Sequence, residues 1–91
     1  MIFITLVKFR KKMTKEYAAT TDKLFAALAK EGTKVIGGYW TLGRYDAVVI
    51  SDGPDKGAVE RAMRTAMVVS EYAATETLVA LKREDAVKLL S

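Results

Sequence analysis

Tyr39-Trp40-Thr41-Leu42-Gly43-Arg44-Tyr45-Asp46-Ala47-Val48 sets a glycine turn, three aromatic rings and a carboxylate between two apolar runs. Glycine readily takes the positive φ that tight hairpins need, so Gly43-Arg44 reads as a two-residue loop joining strands Lys34 to Leu42 and Tyr45 to Ser51. In that register Thr41 lies directly across from Asp46. Because strand side chains alternate, one face of the hairpin carries Val35, Tyr39, Thr41, Asp46, Val48 and Ile50. The other carries Ile36, Trp40, Leu42, Tyr45, Ala47 and Val49.

On the N-terminal side, Ile2 to Phe9 is rich in β-branched and aromatic residues and predicts a first strand. Thr14 is a suitable N-cap for a helix whose apolar or small positions Tyr17, Thr21, Leu24, Phe25 and Leu28 recur every three or four residues, with Gly32 as its stop. After the hairpin, Asp52-Gly53-Pro54-Asp55 is a loop that puts proline near the first position of a second helix, where its missing N–H costs nothing. That helix carries an apolar stripe of Ala58, Val59, Ala62, Met63, Ala66 and Met67, so Met63 and Met67 are expected in the core, with Glu60 and Arg64 on a more polar side. A fourth strand over about Glu71 to Leu81 and a short terminal helix over Arg83 to Leu90 complete the order β-α-β-β-α-β plus a helix. The expectation is one α+β domain over residues 1–91, built on a four-stranded antiparallel sheet.

The first strand is apolar on both faces: Ile2, Ile4 and Leu6 point one way, Phe3, Val7 and Phe9 the other. Two helices cover one face of such a sheet, and a solvated second face normally alternates with polar residues. The matching face of a second copy is the simplest cover, which predicts a homodimer through the sheet. With 91 residues and no cysteine, the chain also gains most from extra burial by association.

Charge and composition exclude more than they assign. The apolar N-terminus is followed, not preceded, by Lys8, Arg10, Lys11 and Lys12, the reverse of a secretory signal, and no apolar run approaches the length of a membrane span. A cytoplasmic protein is expected. The net charge of +4 implies weak attraction to polyanions, but the basic cluster fits a solvated strand-to-helix loop. An RNA-recognition domain shares the element order and a likeness to Ile2-Phe3-Ile4-Thr5-Leu6-Val7, yet Ala47-Val48-Val49-Ile50 lacks the third-strand aromatics on which such domains stack bases. Nucleic acid is therefore not the expected partner.

Histidine is absent too, which removes Ser-His-Asp and Cys-His nucleophiles, the usual zinc sites and haem ligated by histidine or cysteine. No metal or cofactor is expected. Asp46 is the best single candidate for a catalytic acid or base, being a strand-opening carboxylate among aromatic rings. Its structural role would be to pin the hairpin through the Thr41 hydroxyl or a turn N–H. Tyr39, Thr41 and Asp46 share a face and form the candidate ligand site, with Trp40 on the opposite side as core or interface. Lys34 and Arg44 at the two ends of the hairpin are candidate anion contacts or ordinary strand-end charges.

The run from Val35 to Ile50, with the spacing Gly43-x-Tyr45-Asp46 and the loop Asp52-Gly53-Pro54-Asp55 after it, resembles the central signature of the GYD-domain family. Tyr39, Trp40, Gly43, Tyr45 and Asp46 carry the resemblance. It implies a ferredoxin-like fold of the dimeric α/β-barrel kind, in a family of small, mostly prokaryotic proteins without an established activity. Tyr72-Ala73-Ala74-Thr75-Glu76-Thr77 departs from the family pattern in lacking an arginine before its threonines. The resemblance leaves two functions: a non-catalytic assembly or small-molecule-binding protein, or a cofactor-independent monooxygenase-like or isomerase-like enzyme using Asp46 and a tyrosine.

Overall fold

The structure, a computed structural model, describes residues 1–90. Its elements are β1 (Ile2–Phe9), α1 (Lys15–Lys30), β2 (Lys34–Trp40), β3 (Ala47–Asp52), α2 (Ala58–Val69), β4 (Ala73–Ala80) and α3 (Arg83–Lys88). The strands form one sheet in the order β2-β3-β1-β4, with every neighbouring pair antiparallel. Each helical crossover, β1-α1-β2 and β3-α2-β4, therefore skips one strand, which is the ferredoxin-like arrangement. β1 and β3, both rich in β-branched and apolar residues, take the central places.

Local chemistry sets the ends of α1 as the sequence predicts. The Thr14 hydroxyl accepts a hydrogen bond from the Tyr17 N–H at 3.2 Å. At the other end Gly32 takes φ +87°, and the N–H groups of Gly32 and Thr33 close back on the carbonyls of Ala29 and Leu28. The helix buries Leu24 and Leu28 against Val69, Tyr72 and Ala73, with Val7, Phe9, Met13 and Tyr17 packed around them. Tyr17 and Tyr72 stack at 4.4 Å between ring centroids, and the Tyr72 hydroxyl shares a 2.7 Å hydrogen bond with Thr21.

The hairpin follows the expected register from Trp40↔Ala47 to Gly37↔Ile50 and then departs from it. A bulge between Val35 and Gly37 pairs Val35 with Ser51, which moves Val35 to the helix side of the sheet and leaves Ile36 exposed. Gly37 permits this. A Cβ there would stand 3.1 Å from the Tyr39 ring, which folds back over the glycine. The paired strands are also shorter than expected: β2 ends at Trp40, and β3 begins at Ala47 because the backbone twists at Asp46. Its N–H donates to Val7 on one side while its carbonyl accepts from Thr41 on the other.

The second helix corrects the expectation in two ways. It starts at Ala58, not near Pro54, because Gly57 in the left-handed conformation (φ +76°) and a turn closed from Ala58 N–H to the Asp55 carbonyl precede it. Its inner face is made of Ala58, Ala62, Thr65, Ala66 and Val69, whereas Val59, Met63 and Met67 point to solvent, Met63 being 60% and Met67 72% exposed. The apolar stripe in the sequence is wider than one helix can bury, so the small residues face the sheet and the bulky ones do not. This inner face leaves space.

Candidate functional site: a cavity between sheet and helices

The space is a cavity of about 320 Å³ between the two long helices and one face of the sheet. Phe3, Thr5, Val7 and Phe9 of β1 form its floor, and α1 and α2 form its walls. It exists because small side chains meet there: Ala18 and Thr21 from α1, Ala62 and Thr65 from α2, Ala47 and Ser51 from β3, Thr75 and Thr77 from β4. Native interiors are packed nearly without voids, so a space of this size makes this the candidate site of the fold.

The two ends of the cavity differ. At one end stand Phe9, Met13 and Trp40, with Phe9 and Trp40 edge to face at 5.7 Å. At the other stand Thr33, Ser51, Gly53 and Arg61. Thr33 is 8% exposed, and its hydroxyl has no hydrogen-bond partner. It packs against Gly53 so closely that a Cβ there would come within 2.5 Å of Thr33 Oγ1. The Arg61 guanidinium bonds the carbonyls of Lys56 (2.8 Å) and Pro54, holding the loop before α2, and it pairs with no carboxylate among the described residues.

Of the three candidate ligand residues, only Tyr39 borders this cavity; Thr41 and Asp46 do not. The Asp46 carboxylate instead accepts the Phe9 N–H at 2.7 Å, a donor that lies beyond the last β1–β3 pair, and stands 3.8 Å from Lys8 Nζ. The side chain thus supplies the acceptor that β3 no longer provides. Thr41 does lie beside Asp46, but its hydroxyl donates to the Tyr45 carbonyl at 2.7 Å and not to the carboxylate. Tyr45 reaches across β1 and donates to Glu76 of β4 at 2.6 Å. That bond, with burial and the Glu76 charge adding to it and Arg44 opposing, raises the Tyr45 phenol above its ordinary value. Arg44 itself lies over the Tyr45 ring at 5.7 Å.

Tyr39 and Trp40 do fall on opposite faces, but within one chain both are exposed, at 61% and 74%. No three His, Cys, Asp or Glu side chains come together as a metal site among the described residues, and no helix among them is long and apolar enough to cross a membrane. The polar end of the cavity was not legible beforehand. Thr33, Ser51 and Arg61 come from three separate segments, and no motif links them.

The hairpin of Gly43, Tyr45 and Asp46, the split β-α-β topology and the loop at Gly53-Pro54 agree with the pattern of one family throughout the chain. The model of the GYD domain matches residues 3–90. The chain belongs to the GYD domain family. In this GYD domain the tyrosine and aspartate of the name-giving cluster tie the hairpin to its neighbours, Asp46 to β1 and Tyr45 to β4, while Gly43 takes a positive φ of 136° in the turn. Glu76, in the segment where arginine is lacking, is the partner of Tyr45. No curated protein sequence matches this GYD domain.

Proposed function

We propose that this GYD domain is a non-catalytic, small-molecule-binding protein that works as a cytoplasmic homo-oligomer. The cavity between sheet and helices carries the proposal: about 320 Å³ is at the small end of ligand sites, its lining is mainly apolar, and a few polar groups converge at one end. Binding without chemistry is favoured because Asp46, the carboxylate suited by sequence to acid–base work, is committed to the Phe9 N–H and does not line the cavity, while Asp22, which does, is exposed on α1. Tyr45 is likewise committed to Glu76.

The oligomer rests on the other sheet face. Ile2, Ile4 and Leu6 of β1 and Val48 and Ile50 of β3 are only half-buried there, Leu78 of β4 is exposed, and among the described residues no element packs over them. Two such faces packed about 10 Å apart would form the dimeric barrel. Native mass spectrometry of the protein as purified tests both halves: a dimer with extra mass retained per subunit is expected. A monodisperse monomer at micromolar concentration in light scattering would overturn the assembly.

A further inference from the structure

The chemistry of the cavity narrows what it holds, provided the cavity is a ligand site. We infer that the ligand is a small monocarboxylate with an apolar body, its carboxylate at the Thr33, Ser51 and Arg61 end and its body running toward Phe9 and Trp40.

Three observations lead there. The Thr33 hydroxyl is more than nine-tenths buried without a partner, and a hydroxyl sealed from water normally costs stability unless an acceptor reaches it. Arg61, which lines the same end, has five N–H donors and no acceptor capacity; two carbonyls occupy part of that capacity, and no carboxylate among the described residues neutralises the charge. A cation would meet the Arg61 charge there, and a neutral donor could use only the hydroxyl oxygens, leaving the guanidinium unanswered. One guanidinium and two hydroxyls at this end, with no lysine on the lining and the Asp22 carboxylate of α1 also on it, match a single negative charge better than a doubly charged phosphate.

The shape of the ligand follows from the sheet. From Phe3 to Phe9 the floor runs about 20 Å at roughly 3.3 Å per residue, and small residues on both walls leave the space above it open along the strand. An elongated body, an alkyl chain or a single ring, fits such a slot. The Gly53 backbone keeps the polar end open, since any side chain there would strike Thr33.

Isothermal titration of the intact protein with octanoate, 1-octanol and octylammonium, three probes alike except at the head, separates the possibilities. Octanoate should bind at least about tenfold more tightly than octanol, and octylammonium most weakly, as expected for a charge-assisted contact. Arg61→Gln should erase the preference for octanoate, Arg61→Lys should keep most of it, and Thr33→Val, of nearly equal shape, should weaken octanoate several-fold but not octanol. If Arg61→Gln fails to fold because the loop before α2 loses its ties, the Thr33→Val comparison decides. Equal binding of octanoate and octanol, unchanged by either substitution, overturns the carboxylate and leaves the cavity as a ligand site. Absence of binding by all three, with no mass retained in native spectrometry, removes both.

Discussion

Asp46 was open to two readings, a reactive base or a structural pin, and its bonds favour the second. Its carboxylate takes a donor that a carbonyl of β3 would have satisfied had the strand run on. Asp46→Ala should therefore destabilise the protein by about 2 kcal/mol, the usual cost of orphaning a donor bonded to a charged group. Urea unfolding would show the loss, whereas Asp46→Asn, which keeps an acceptor, should cost about half as much. Tyr45 makes a separate prediction. Its phenol is raised in the folded protein, so the proton is held more tightly there than in the unfolded chain. The stabilisation is complete below the ordinary phenol value near 10 and is lost as pH rises through the higher folded value. Tyr45→Phe should remove a component of the phenolate absorbance that titrates above the ordinary phenol value and flatten the fall of stability above pH 10.

At the scale of elements, the inner face of α2 decides whether there is a cavity at all. Ala62 and Thr65 line it, while Met63 and Met67, large enough to fill it, face solvent. Ala62→Leu should partly fill the void, raise stability by about 1 kcal/mol in thermal unfolding, and abolish binding of any retained ligand. Loss of stability instead would mean that the helix cannot accept the extra volume. The loop before α2 is constrained more tightly: Gly53→Ala forces a Cβ into the Thr33 hydroxyl and should cost about 1–3 kcal/mol, measured by the same melts. The exposed Val59, Met63 and Met67 stripe shows that helical periodicity identifies an apolar sector without saying which part of it turns inward.

For the whole molecule, the sheet divides two roles between its faces. The helix side encloses the cavity, and the opposite side presents the half-buried row of Ile2, Ile4 and Leu6 beside Val48 and Ile50. Leu6→Lys, at the centre of that row between Val48 and Glu76, should convert the proposed dimer into a monomer in light scattering while the cavity remains. An unchanged mass would place the contact elsewhere. The wild-type dimer should lose stability on dilution, and this dependence should vanish in the monomeric variant, since association stabilises by mass action.

The sequence by itself determined the element order, the caps of α1, the hairpin and its register as far as Gly37, because each rests on residues close together: Thr14 and Tyr17, Gly32 and Leu28, Tyr39 and Val48. The family followed from the same hairpin. Only the tertiary structure decided where Val35 faces, since the bulge at Ile36 appears only in the pairing of β2 with β3. It also decided the partners of Asp46 and Tyr45, which come from β1 and β4, and the convergence of Thr33, Ser51 and Arg61. Periodicity reports which face a residue is on. A cavity is made by what fails to fill the space between faces, and that depends on three segments meeting at once.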